Sequence, residues 1–234
     1  MQQIFVVSVL LSVCSLNSSF AQEQVAANPT RPSVSDNAYL TALGYTELEA
    51  GGLVTDNLWT IPALLKFSVH RQIEVGFAMV GLLNHVDGGD TEVGDPGVQA
   101  KVQLLEGPWG ALAVVGRADW AGNSDPGYTA YSTLSYQASR FQLDATLGGA
   151  FFQSDALLWA VAVSPKVTGR VGGFAELFGT NSSDGSATAL DFGLSYGHSA
   201  RLISDISIAV GLDNNSPDWI FQVGLTTVLA KVLK

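Results

Sequence analysis

The sequence predicts an all-β chain: a transmembrane, antiparallel up-and-down β-barrel of about twelve strands. Three observations predict it. Beyond about residue 38, apolar side chains recur at every second position. Breaks of Gly, Asn, Asp, Ser and Pro interrupt that alternation at regular intervals. Large aromatic residues gather toward the ends of the apolar faces.

Taken in order, the alternation places strands at 40–54, 58–69, 73–83, 97–105, 110–121, 128–138, 141–152, 156–166, 171–179, 187–197, 202–212 and 219–229. The last is a clear case. Trp219, Phe221, Val223, Leu225 and Leu229 share one face with Thr227, and Gln222, Gly224 and Thr226 share the other. Phe141, Leu143, Ala145, Leu147 and Phe151 stand against Gln142, Asp144 and Thr146 in the same way. Helical spacing is not sustained anywhere beyond residue 38.

Connections fall into two alternating classes. The tight ones (70–72, 106–110, 139–140, 168–170 and 197–201) carry Arg71, Arg140, Arg170 and Arg201 against the single acid Glu106. The other class is mostly longer. It holds Asp56, Asp87, Asp90, Glu92, Asp95, Asp125, Asp155, Asp184, Asp213 and Asp218 and no Lys or Arg. An up-and-down sheet produces this, because every second connection lies at the same end.

Alternation alone also fits a soluble sandwich, and the aromatics separate the two. Trp59, Trp120, Tyr128, Phe151, Trp159 and Trp219 fall near the acidic ends of the apolar faces; Phe67, Tyr136, Phe141 and Tyr196 fall near the basic ends. Such belts suit a bilayer, where rings meet hydrocarbon and the Trp N–H and Tyr O–H reach headgroups. We therefore expect an interface girdle of Trp59, Trp120, Tyr128, Trp159, Tyr196 and Trp219. The opposite face is rich in Gly, Ser, Thr and Gln, unlike a solvent face.

Residues 1–21 read as a cleaved secretory signal: an apolar run from Ile4 to Val13, then Ser19-Phe20-Ala21 before Gln22. The run is shorter than the roughly 20 residues a spanning helix needs. Cleavage removes Cys14, the sole cysteine, so packing and backbone pairing alone hold the remainder. Residues 22–38 are expected to be a polar periplasmic segment and 39–234 the barrel. Secretion with a membrane barrel implies the outer membrane of a Gram-negative bacterium, short turns toward the periplasm. Its surroundings are then lipid and lipopolysaccharide, and a net charge of −10 excludes a basic nucleic-acid surface. The oligomeric state is left open.

The second parity points inward. It carries Glu47, Glu49, Glu74, Asp119, Asp144, Glu176, Asp191 and Asp205 against Lys66, Lys101, Arg117 and Lys166. Except for Glu47, these are the expected pore-lining set. The acidic excess suggests a polar pathway favouring cations or neutral solutes, or else a charge network that plugs the barrel. Inward Tyr131, Phe152, Phe174 and Phe178 would narrow it or fill it.

The stretch "HVDGGDTEVGDPGVQAK" (85–101) concentrates Asp87, Asp90, Glu92 and Asp95. An EF-hand beginning at Asp87 fails, because Gly89 and Thr91 occupy ligand positions. The loop is expected to be external, with no metal centre and no cofactor. An enzyme is not expected either. His70, His85 and His198 lie at turns or loop starts, and no serine stands in a G-x-S-x-G context.

Several stretches resemble outer-membrane transporter-like β-barrels of the meta-pathway of phenol degradation family. They are "TRPSVSDNAYLTALGYTELEAGG" (30–52), "HRQIEVGFAMVG" (70–81), "VGDPGVQAKVQLL" (93–105) and "DNNSPDWIFQVGLTTVL" (213–229). By that resemblance Glu49, Glu74, Asp95 and Lys101 match recurrent polar positions. It implies passage of aromatic or other small hydrophobic compounds. A non-conducting structural or surface-interaction barrel, its acidic loops bridged to lipopolysaccharide by divalent cations, is the alternative. One departure is the ending "AKVLK", where such barrels commonly close on an aromatic residue. The assembly signal is then internal, near Trp219 and Phe221, or insertion is inefficient or different.

Overall fold

The computed structural model describes residues 25–120, 126–151, 155–166 and 169–233. The expected signal, with Cys14, and also Asp125 and Phe152 lie outside them. The strands are β1 (Tyr45–Thr55), β2 (Leu58–Thr60), β3 (Ala63–His70), β4 (Ile73–Met79), β5 (Asn84–Val86), β6 (Thr91–Glu92), β7 (Pro96–Gly107) and β8 (Gly110–Asp119). They continue as β9 (Gly127–Gln137), β10 (Phe141–Phe151), β11 (Ala156–Pro165), β12 (Val171–Ser182), β13 (Gly185–Ser199), β14 (Leu202–Gly211) and β15 (Trp219–Lys231).

Twelve of these form a closed antiparallel barrel, each long strand pairing with the next. The seam closes where β15 pairs with β1, from Tyr45 opposite Lys231 to Thr55 opposite Ile220. Closure leaves no ladder edge, which a hydrocarbon layer requires. No described residue is helical.

The distribution of side chains is the inverse of a soluble core. The largest fully buried side chains are Lys66, Lys101, Glu47, Glu49, Glu74 and Glu176, while Leu147 and Leu194 are each 59% exposed on the outer face. Buried charge and exposed apolar surface on alternate residues are what a bilayer outside and a polar interior inside demand.

Several boundaries depart from the sequence expectation, among them the end of the strand expected at 73–83, which stops at Met79. The strand expected from 40 begins at Tyr45, because Gly44 turns there with φ 78° and bonds to the β3 carbonyl of Ser68 at 3.0 Å. The expected strand 58–69 is interrupted at Ile61-Pro62, since proline has no N–H for a ladder. The separated β2 pairs with the β5–β6 hairpin, whose turn contains Gly88 at φ 81°. The expected loop 180–187 is mostly strand, with only Ser183 and Asp184 between β12 and β13.

Candidate functional site

Over its described part, the segment expected as polar and periplasmic at 22–38 packs against inward-facing side chains of the barrel. Residues 27–44 form a loop that enters the barrel at the short-turn end, reaches its middle and returns to the same end. On the way in, the Ala27 N–H donates to the carbonyl of Ala200, in the turn between β13 and β14 (2.8 Å). On the way out, Gly44 hands the chain to β1. The two limbs are tied by Asn28 Nδ2 to the Tyr39 carbonyl and Asn37 Nδ2 to the Pro29 carbonyl, each at 3.0 Å.

A stretch with Pro29 and Pro32 cannot join a ladder, so its backbone needs other partners. Inward-facing side chains of the wall supply them. Glu47 accepts the Asn28 N–H (2.8 Å), Glu49 the Thr30 N–H (2.9 Å) and Glu74 the Thr41 N–H (2.7 Å). Glu176 takes the N–H groups of Val34 and Ser35 at the tip (2.7 and 2.5 Å), and Ser135 Oγ takes that of Ala38 (2.8 Å). In the other direction Lys66 donates to the Asn28 carbonyl, Lys101 to that of Asn37 and Gln103 to that of Ala38, at 2.8, 3.0 and 3.1 Å. Thr133, Ser68 and Gln222 donate to the carbonyls of Asp36, Thr41 and Pro32.

The loop's own side chains add two strong anchors. Asp36 pairs with Lys101 at 2.7 Å and accepts the Tyr131 hydroxyl at 3.1 Å. Arg31 donates to the Val223 carbonyl at 3.0 Å and lies 3.8 Å from Asp205. Its guanidinium fills the space left by Gly51 and Gly224, which face each other across the β1–β15 seam; a Cβ at either would collide with it.

These contacts account for much of the acidic excess read from the sequence. Lys66 is shared by Glu47 and Glu49 (2.7 and 2.5 Å), and Arg117 forks onto Asp119 on its own strand (2.7–2.8 Å). Glu74 and Glu176 meet backbone N–H groups instead of bases. Asp144 accepts from Ser135 Oγ and Gln142 Nε2. Asp191 lies directly opposite Glu176 across β12 and β13, fully buried.

Of the expected pore-lining set, Glu49, Lys66, Glu74, Lys101, Arg117, Asp119, Asp144, Glu176, Asp191 and Asp205 all face inward. Lys166 does not. Its strand ends at Pro165, and Lys166 stands exposed in the following turn, with its N–H on the Arg140 carbonyl. Tyr131, Phe174 and Phe178 also face inward, and the Phe174 ring covers Gly193 on the neighbouring strand.

Outside the lumen, Trp120, Tyr128, Tyr196 and Trp219 are exposed on the outer face. Trp159 donates to Asn181 at 3.1 Å, and Trp59 stacks on His85 with centroids 5.8 Å apart. Asp87, Asp90 and Glu92 are exposed on or beside the β5–β6 hairpin, with Asp95 half-buried at its base. Among the described residues no three acidic, His or Cys side chains converge on a metal-sized site. One pairing escaped the sequence reading: His198 Nε2 lies 3.0 Å from Ser204 Oγ at the short-turn rim. No described carboxylate or amide orients its other ring nitrogen, so it lacks the third member of a nucleophilic triad.

The loop leaves cavities at both ends. A cavity of about 280 Å³ toward the acidic loops is bordered by Arg31, Ser33, Asp36, Gln99, Arg117 and Tyr131, with Leu64, Met79 and Val80 among its apolar walls. One of about 300 Å³ at the short-turn end is bordered by Tyr39, Thr41, Ser68, His70, Arg71 and Gln103. Between them lies the descending limb, with Ser35 and Ala38 buried.

No protein-family model matches the chain, and no curated protein matches it in sequence. Its fold is nonetheless represented among solved structures. A KdgM porin in complex with disordered oligogalacturonate superposes with a TM-score of 0.62 at 9% identity, covering 77% of this chain and 98% of that one. A NanC porin gives 0.60 at 9% identity over 78% and 98%, and a second KdgM structure 0.57 at 8% over 77% and 98%. At such identities the likeness speaks for architecture alone. The chain has the fold of an outer-membrane porin, a closed antiparallel barrel of twelve strands.

Proposed function

We propose that this protein is a channel for small solutes in the outer membrane of a Gram-negative bacterium, closed at rest by its own N-terminal loop. The observation that carries this is the pair of cavities opening toward opposite ends, separated by a loop that hydrogen bonds and ion pairs, with no covalent cross-link, hold against the wall. A barrel serving only as a scaffold has no need of a vestibule at each end.

The solute class implied by the phenol-degradation family resemblance, aromatic or small hydrophobic compounds, suits the cavity near the acidic loops. A cavity of roughly 150 Å³ holds benzene, so about 280 Å³ accommodates one substituted ring. Leu64, Met79 and Val80 offer apolar contact there, and Arg117 and Tyr131 a polar end. An acidic oligosaccharide, such as the oligogalacturonate in complex with one of the similar porins, would meet Glu49, Glu74, Glu176 and Asp191 if the loop withdrew. Like-charge repulsion in a low-dielectric passage disfavours it.

The alternative, a non-conducting structural barrel, draws on the complete burial of Lys66, Glu74 and Glu176 beneath the loop. A cysteine pair separates the two readings. Ala38 of the loop is buried in one cluster with Ala111 and Ala113 of β8, and A38C/A111C is designed to cross-link loop to wall on oxidation. In planar bilayers the channel reading expects conductance steps in the reduced protein, silenced by oxidation and restored by dithiothreitol. Silence in both states, from a barrel shown to be folded, leaves the structural reading.

A further inference from the structure

The wall grips the inserted loop chiefly by its backbone. Glu47, Glu49, Glu74, Glu176 and Ser135 take main-chain N–H groups, and Lys66, Lys101 and Gln103 give to main-chain carbonyls. Such contacts are blind to most of the residues whose backbone they hold. Asn28 and Asn37 spend their side-chain amides on the opposite limb, and Val34 at the tip is half exposed. Arg31 in the glycine-lined socket at the seam and Asp36 on Lys101 and Tyr131 are the two charged anchors of the register, and the Thr30 hydroxyl adds a bond to Glu49 at 2.7 Å.

We propose that the lumen is a peptide-binding site whose resident occupant is the chain's own residues 28–41. The ligand class is a short peptide free of regular structure, with an arginine followed five residues later by an aspartate. Its main chain is read by the carboxylates, and its arginine enters the Gly51–Gly224 socket. A carboxylate receiving an N–H makes a charge-assisted bond, stronger than a neutral one. That strength does not depend on whether the amide is attached to β1. What attachment supplies is proximity. A short tether gives the resident loop an effective concentration on the order of millimolar, so a free peptide competes only after the resident anchors are weakened.

The site stands whether or not the barrel conducts, and its test reads binding directly. The full chain is folded into detergent micelles as wild type and as R31A/D36A, which removes both register anchors from the loop and leaves every wall residue in place. A fluorescent peptide with the sequence of residues 25–41 is then titrated and followed by anisotropy. R31A/D36A should bind it at least ~10-fold more tightly than wild type. A peptide N-methylated at the positions of Val34, Ser35 and Ala38 should bind at least ~10-fold more weakly, since each tenfold is 1.4 kcal/mol and three N–H donors are gone. A peptide with the residues at the positions of Ser33 and Val34 exchanged and every other residue kept should bind within ~3-fold of the native one, because both N–H groups remain and the Val34 side chain is half exposed. Equal binding by wild type and variant, or indifference to N-methylation, overturns the proposal. Should the double variant not fold, D36N decides by the same two comparisons.

Discussion

The barrel wall and the inserted loop satisfy their backbones by opposite means. In the wall each N–H and C=O meets a neighbouring strand, as along β12 and β13, where Val171 to Ser182 pair without a break against Tyr196 to Gly185. The ladder is indifferent to side chains, which are free to sort into apolar outside and polar inside. In the loop no ladder exists, and side chains of the wall stand in for one. The wall's polar residues therefore do two jobs: they balance one another, and they provide the loop's backbone partners.

Lysine gives the largest and sharpest test of that division. Lys66 sits between two wall carboxylates, Glu47 and Glu49, all three buried; Lys101 faces Asp36 of the loop. K66M strands two buried acids, and breaking a buried pair costs about 3–5 kcal/mol. It should lower wall stability by that amount in urea unfolding from lipid vesicles. K101M strands Asp36, an acid that is free to leave with the loop. It should cost the wall clearly less, while cysteine-accessibility labelling of an S35C variant rises. Equal losses from the two would mean that loop and wall melt as one unit.

The difference also decides what was legible in the sequence. Wall strands announce themselves locally, because a period of two over ten residues needs no knowledge of the rest of the chain. The strand read at 219–229 is β15, Trp219–Lys231, almost to the residue. At the first strand the local pattern misled because Leu40 and Ala42 continue the alternation, but Gly44 turns the chain out of the lumen. The inward-facing positions followed from the same parity, and among the described residues only Lys166, past the end of its strand, does not face inward. The loop left no such mark. "NPTRPSVSDNAY" has no period, since its conformation is dictated by residues far along the chain, such as Glu176 and Gln222. Its one trace was a surplus of inward acids over bases, which signalled missing donors without saying that they were backbone amides.

The outer face allows an intermediate test. Leu147 lies at the centre of β10 and points outward, 59% exposed. L147R places a guanidinium near the bilayer midplane, which costs about 2–4 kcal/mol in such barrels. Unfolding from vesicles should register that loss. In detergent, whose head groups are nearer and more mobile, the loss should shrink, and hydrogen exchange in residues 28–41 should be unchanged in both.

The smallest effect belongs to a turn that rests on β13 only through Ser216 at Thr188 and Asn215 at Ser186. The turn from Asp213 to Ser216 caps itself: Asp213 Oδ1 accepts the Asn215 and Ser216 N–H groups, both at 3.1 Å, and the Ser216 hydroxyl at 3.0 Å. Desolvation raises the Asp213 pKa, but these hydrogen bonds outweigh it and hold the pKa below the ordinary carboxylate value. A depressed folded-state pKa means the turn is favoured while the group is ionised, and that advantage disappears as pH falls through the depressed value. Acidification below the usual aspartate range should therefore shift the Asn215 and Ser216 amide resonances and leave those of β14 and β15 in place. D213N should remove the titration altogether and leave barrel stability unchanged, because the bonds of Ser216 to Thr188 and of Asn215 to Ser186 on β13 do not pass through Asp213. If D213N instead loosened the β14–β15 pairing, the turn would be part of the ladder's support, and the separation of wall, loop and turn would fail at its weakest boundary.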